Sequence, residues 1–230
     1  MKYPVYERFY TWQGEGVHLG RAAYFIRLYG CPQACPWCDS AGTWHRDYRP
    51  DSVPLLSAQE LSEAVQQEAP QGAFVVLTGG EPILFDLAPL VTLLHAQGRR
   101  VHLETSGIAP LRGAVDWVTL SPKPFGQPPL PEVVAQATEV KIIVHEPDDI
   151  AAGLATLEGL PTDAPIWLHP EWSKARDRDA GVLNAITQAV KADPRLRAGY
   201  QLHKLYRPDE LDPHSDKRLI PLGGQVALGY

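Results

Sequence analysis

A chain of 230 residues, 44% of them hydrophobic, carries ample apolar material for a core and sits near the upper end of what one domain holds. Its 21 basic and 27 acidic residues give a formal net charge of −6, a balance that points away from nucleic-acid binding. No run reaches the roughly 20 apolar residues of a membrane span, the start MKYPVYERFY lacks the apolar stretch of a secretory signal, and the three cysteines, odd in number and close together, do not form a secreted disulfide framework; a cytoplasmic protein is expected.

Strand-like runs recur along the chain at 22–30, 73–80, 99–107, 114–122, 137–145 and 164–170, with a last one at AGYQLHKLY (198–206). Several read as nearly continuous apolar runs, the pattern of strands buried on both faces of a parallel sheet. Helix-like stretches lie between most of them. SAQELSEAVQQEA (57–69) opens with Ser57 three residues before Glu60, the signature of a capping box. FDLAPLVTLLHAQG (85–98) has helical apolar spacing and ends at Gly98, a C-terminal stop. Helices are also predicted within 148–160 and 179–193, whereas 107–114 is too short for one. Residues 124–131 form a proline-rich loop and 207–230 a polar, turn-rich tail.

Strands alternating with helices predict an α/β domain with right-handed crossovers. Six or seven such units are too few for an eight-unit barrel of about 250 residues, so an open or partial barrel is expected, with a doubly wound sheet as the rival. No linker interrupts the sequence, and one domain is predicted over residues 1–230. Cys31, Thr78, Glu104, Ser121 and His169 all fall at C-terminal strand ends, the edge where α/β folds bind ligands.

All three cysteines lie in CPQACPWCDS (31–40), spaced C-x3-C-x2-C directly after the first long run. Three thiolates can hold zinc or an iron–sulfur cluster. With no fourth cysteine, either a histidine such as His45 completes a zinc site, giving a structural zinc module, or one position stays open for a ligand.

The spacing resembles the radical S-adenosylmethionine (SAM) superfamily. That resemblance implies a 4Fe–4S cluster held by Cys31, Cys35 and Cys38, with SAM on the remaining iron and reductive cleavage to a 5′-deoxyadenosyl radical, chemistry that belongs to the cofactor. TGGEP (78–82) is similar to the motif that meets the SAM amino group, its glycines permitting close backbone approach. The implied SAM contacts are Trp37, Cys38, Asp39, Gly80, Glu81, Ser121, Pro122, Lys123, His169, Pro170 and Glu171. His169 stands where related sequences often have Gln before Pro.

Within the superfamily, TWQGEG (11–16), the CDS that ends the cysteine loop and QLHK (201–204) resemble the 7-carboxy-7-deazaguanine synthase family over about residues 8–206. The fold implied is a modified partial barrel of the (βα)6 type, and the protein a homodimer. The activity implied is conversion of 6-carboxy-5,6,7,8-tetrahydropterin to 7-carboxy-7-deazaguanine with loss of ammonia, on the route to queuosine, with Mg²⁺ and a reductant such as flavodoxin or ferredoxin. Residues 1–21 would form an N-terminal substrate-binding segment. The substrate contacts implied are Trp12, Gln13, Gly14, Glu15, Arg27, Thr78, Glu104 and His203, with Mg²⁺ at Ser40. Arg27 agrees with this on physical grounds, because a guanidinium inside an apolar strand needs an anionic partner. A glycyl-radical-enzyme activase shares the cysteine loop and is the enzymatic alternative.

Overall fold

The structure is a computed structural model and describes residues 1–215. Its strands are β1 (Lys2–Trp12), β2 (Ala22–Leu28), β3 (Leu55–Ser57), β4 (Phe74–Gly79), β5 (Val101–Thr105), β6 (Trp117–Leu120), β7 (Glu139–Val144), β8 (Ile166–Pro170) and β9 (Leu196–Ala198). They join one sheet in the order β3-β1-β2-β4-β5-β6-β7-β8-β9. β1 runs antiparallel to both neighbours, and from β2 onward every pairing is parallel. The helices are α1 (Ala58–Glu68), α2 (Ala88–Ala96), α3 (Pro131–Val134), α4 (Asp149–Leu154), α5 (Trp172–Arg176), α6 (Ala180–Ala192) and α7 (His203–Tyr206). The ends of the sheet do not pair with one another, so the barrel is partial, as the sequence predicts.

The strands alternate, and this corrects the reading of them as continuous apolar runs. One face carries Tyr24, Ile26, Leu28, Val75, Leu77, Val101 and Leu103, packed against Leu61, Val65, Leu90 and Leu94 of α1 and α2. The same face continues as Leu120, Val140, Ile142, Ile166 and Leu168 against α3, α4 and α6. The opposite face begins with Phe9, Ala23, Phe25, Phe74 and Val76 and then turns polar, with Arg27, Thr78, Glu104, Thr119, Glu139, Lys141 and His169 one residue out of phase with the apolar set. The apolar face holds the helices; the polar face lines the interior.

β1 serves both faces because it is irregular. Its pairing with β2 shifts register between Val5 and Glu7. Before the shift, Tyr3 and Val5 join the helix-side core; after it, Phe9 faces Phe25 with stacked rings 5.4 Å apart, and Glu7 reaches Arg27. An extra residue in one strand re-aims the side chains beyond it. β1 is not among the strands predicted from sequence, since Glu7 and Arg8 interrupt its apolar pattern.

The helix signals translate directly. Glu60 N donates to Ser57 Oγ at 3.2 Å and Ser57 N to Glu60 Oε2 at 2.7 Å, closing both halves of the capping box. Gly98 follows α2 with φ +72°. No helix bridges β5 and β6. The predicted strand 198–206 is corrected: only Leu196–Ala198 pairs, and α7 follows. Leu202 N is taken by Gly14 O at 3.0 Å, which pulls the chain off the sheet and across the interior. Of the predicted tail, residues 216–230 lie outside the described residues. Asp212, just before them, accepts a hydrogen bond from Tyr10 N at 2.9 Å on β1.

Leu103→Ala, at a fully buried side chain, should cost about 2–5 kcal/mol of stability in denaturant unfolding, whereas Leu84→Ala, at a side chain 44% exposed, should change it by about 0.5 kcal/mol or less.

Candidate active site

One cavity occupies the interior. Its rim is built from the segments that follow the parallel strands: Cys31, Cys35 and Cys38 after β2, Gly80 and Glu81 after β4, Ser106 after β5, Ser121 and Lys123 after β6, and Glu171 after β8. Its walls are Arg27, Thr78, Glu104 and Lys141 on the inward face of β2, β4, β5 and β7. Its floor is the segment after β1, Gln13 to Glu15, together with Gln201 and His203 from the chain after β9. TWQGEG and QLHK, nearly 190 residues apart in sequence, therefore meet inside the barrel.

Hydrogen bonds fix the floor. Gln13 Oε1 accepts from Glu15 N at 3.1 Å, and Gln13 Nε2 donates to Glu104 Oε1 at 2.9 Å. Thr78 Oγ1 donates to the other Glu104 oxygen at 3.2 Å. Glu15 pairs with Lys141 and accepts from Gln201 Nε2 at 2.8 Å. The His203 ring lies against Gly14.

Charge compensation accounts for the buried ionisable groups. Burial alone would raise the Glu15 carboxyl, but Lys141, His169 and His203 hold it far below its ordinary range. Burial alone would lower Lys141, but Glu15 and Glu104 hold it above. Desolvation would raise the carboxyl of Asp39, whose side chain is nevertheless 39% exposed, but Lys204, whose Nζ lies 3.0 Å away, holds it below its usual value, with Arg27 and His203 contributing. Arg27 is likewise kept charged despite burial, chiefly by Glu7 at 2.6 Å and also by Asp39 and Glu104. The anionic partner expected for Arg27 is thus already supplied by the protein, and Glu7 was not anticipated. Arg27 Nη1 also donates to Ser40 Oγ at 2.9 Å, which in turn contacts Asp39 Oδ1 at 3.3 Å. Gln201 Nε2 reaches Asp39 Oδ2 at 3.3 Å as well as Glu15, so the floor is bonded to the cysteine loop.

Three predicted residues do not line the cavity: Pro122, His169 and Pro170. His169 is fully buried, neither ring nitrogen has a hydrogen-bond partner, and burial pushes its pKa down to about 4. Glu81 lines the cavity, but its carboxylate accepts from Ser106 N at 2.8 Å and from the hydroxyls of Thr105 and Ser106, and burial raises its pKa. Its side chain thus ties the ends of β4 and β5 together. Lys141, Gln201, Lys204, Asp39 and Glu7 form most of the charge network, and the sequence reading singled out only Asp39 among them, as a SAM contact. Lys141 gave the same signal as Arg27, a cation within an apolar strand.

Do these residues fit a cluster and a nucleoside cofactor? The three thiols share one rim and feel one another electrostatically. Burial raises the pKa of each, that of Cys38 to about 12 with Asp39 adding to the effect, so loading a metal centre must displace protons. Among the described residues no three His, Cys, Asp or Glu side chains converge as they would around a single ion, whereas a cluster, being larger, takes more widely spaced thiolates. His45 does not line the cavity; it accepts from Asp47 N at 3.2 Å and packs on Trp44 and Tyr48, so it does not complete a zinc site with the three thiols. Beside the thiols, Trp37 meets Phe125 edge-on at 5.6 Å with Lys123 Nζ 5.6 Å from its ring, a flat apolar wall with a cation for a purine-like ligand carrying a carboxylate. The donor set fits.

A cysteine-rimmed cavity in a partial barrel defines a radical SAM enzyme, and residues 25–125 match the Radical SAM superfamily. The chain is 42% identical over 173 residues to the 7-carboxy-7-deazaguanine synthase of Synechocystis sp., covering 75% of this chain and 79% of that one. It is 36% identical over 183 residues to the Escherichia coli K12 protein of the same name, covering 72% and 82%. The crystal structure of QueE from Escherichia coli superposes with a TM-score of 0.73 at 33% identity, over 88% of this chain and 95% of that one. The chain belongs to the 7-carboxy-7-deazaguanine synthase family.

Removing one member of a buried ion pair strands the other. Lys141→Met should therefore destabilise the protein by roughly 3–5 kcal/mol, and adding Glu15→Gln should recover much of that loss, both read by denaturant unfolding. His169 and His102 are buried neutral, with pKa values of about 4 and about 3 against 6.5 unfolded. The unfolded chain binds these protons first, so the stability these two groups contribute is fully present above pH 6.5 and is lost as pH falls from 6.5 toward 4 for His169 and toward 3 for His102. His169→Gln should make that fall shallower in unfolding measurements across the range.

Proposed function

We propose that the protein converts 6-carboxy-5,6,7,8-tetrahydropterin to 7-carboxy-7-deazaguanine with release of ammonia. The observation that carries this is the joining of two sites in one cavity: a rim of three thiols and, directly below, a floor of locked hydrogen-bonding groups whose charges are balanced. When bound, the cluster and SAM would supply the radical that activates the substrate; Cys31, Cys35 and Cys38 would hold the cluster, with Trp37, Ser121 and Lys123 beside the nucleoside.

The chain's own part is recognition and orientation. Glu15, Glu104 and the Gln13 amide offer acceptors suited to the N–H donors of an aminopyrimidinone edge, and the bonds between them keep those acceptors in register before substrate arrives. Arg27 remains fully charged and would face the substrate carboxylate, sharing that duty with Ser40. Ser40 Oγ uses one lone pair for Arg27, leaving the other for one coordination position of a Mg²⁺ whose further ligands would be substrate and water oxygens. Thr78 steadies Glu104, and His203 closes the floor over Gly14. The family resemblance extends the proposal to a homodimer supplied with electrons by a flavodoxin or ferredoxin.

The test is turnover by anaerobically reconstituted protein with SAM, reductant, Mg²⁺ and the carboxytetrahydropterin, followed by mass spectrometry. Product lighter by one ammonia is expected, disappearing in Cys31→Ala, Cys35→Ala or Cys38→Ala. SAM cleavage without consumption of the pterin would refute the substrate.

A further inference from the structure

We infer that Glu139 is a positioning residue, whose carboxylate holds the segment 13–18 against the barrel wall so that Gln13 and Glu15 stand where substrate is read. The inference rests on the function proposed above. Glu139, on the inward face of β7, is 4% exposed, yet no cation pairs with it in any bond described; its carboxylate is answered by neutral donors instead. Oε1 accepts from Trp117 Nε1 at 3.1 Å and Thr119 Oγ1 at 2.8 Å, both on β6. Oε2 accepts from Trp167 Nε1 at 3.1 Å on β8 and from Val17 N at 2.9 Å. Three donors belong to the wall and fix the carboxylate; the fourth belongs to the floor segment.

Gly16 completes the contact. It has φ +67°, and a Cβ there would lie 2.7 Å from both carboxylate oxygens, so only glycine lets the segment close onto Glu139. A carboxylate, with four acceptor sites, suits this arrangement where an amide does not: glutamine at 139 would turn an NH₂ toward two N–H or O–H donors. Glu139 does not line the cavity. Its influence on substrate runs through Val17 and Gly16 to Glu15 and Gln13, which do.

Two variants separate positioning from general support. Glu139→Gln alters the wall and the floor contact together. Val17→Pro leaves the three wall donors in place but replaces the floor's N–H with a ring carbon that cannot approach Glu139 Oε2, so the floor contact is broken; the site is the second position of the turn closed by Leu19 N and Gly16 O at 3.3 Å, whose backbone suits proline. In reconstituted full-length protein both should raise KM for the carboxytetrahydropterin roughly 10-fold or more with a smaller effect on kcat, while SAM affinity stays within about 2-fold. Trypsin should cut after exposed Arg21 faster in both, a readout of the floor segment that needs no substrate. Unchanged KM and unchanged cleavage in both variants overturn the inference, as does a loss of SAM affinity in step with the pterin. If the unaltered protein leaves the pterin untouched, the proposed function fails and the cleavage assay alone decides: acceleration in both variants upholds the anchor, and none overturns it.

Discussion

The buried pairing of Lys141 with Glu15 is the contact on which the rest of the interior depends. Lys141 projects from β7 into the cavity with its side chain only 14% exposed, where an unpaired ammonium would be costly. Its counter-charge comes from the segment after β1, which must therefore cross the barrel to deliver it. Once there, Gln13 meets Glu104, Gly14 takes Leu202 N, and Gln201 bridges Glu15 to Asp39. A single electrostatic demand thus gathers β5, β7, the floor and the chain after β9 around one cavity.

Asp39 carries that order upward. It lies next to Cys38, pairs with Lys204, contacts Ser40 and receives Gln201, so the loop that carries the cysteines is bonded to the residues proposed to read substrate. Geometry below the rim is thereby coupled to geometry at the rim. For radical chemistry this matters, because a reactive centre must face one hydrogen of a substrate held without play and shielded from water. The polar lining is costly to bury, and the cost is met by pairing the charges rather than by exposing them.

Much of this was legible in the sequence, and what was missed has physical causes. The runs at 22–30, 73–80 and 137–145 announced strands because their helix-facing residues are apolar without exception. Glu104 was legible as a site residue because it stands at the C-terminal end of its strand, and Arg27 as an interior group because it interrupts such a run. Lys141 gave the same signal and was passed over, its partner Glu15 lying more than 120 residues away. β1 was invisible because Glu7 and Arg8 break its pattern, one answering Arg27 inside and the other Glu68 on the helix side. The end of 198–206 misled because its alternation serves contacts with Gly14 and Glu15 rather than a sheet ladder. Motifs singled out the cysteine rim and the floor, which the fold brings to one cavity, and the bonds joining them follow from the fold.

The measurement that bears most directly on this account is a crystal structure of the anaerobically reconstituted protein with SAM and the carboxytetrahydropterin bound. The account predicts the cluster on Cys31, Cys35 and Cys38, the pterin ring between the floor and the rim with its edge at Gln13, Glu15 and Glu104, and the Glu15–Lys141 pair intact. A pterin bound elsewhere, or a floor segment withdrawn from the barrel when substrate is present, would contradict it.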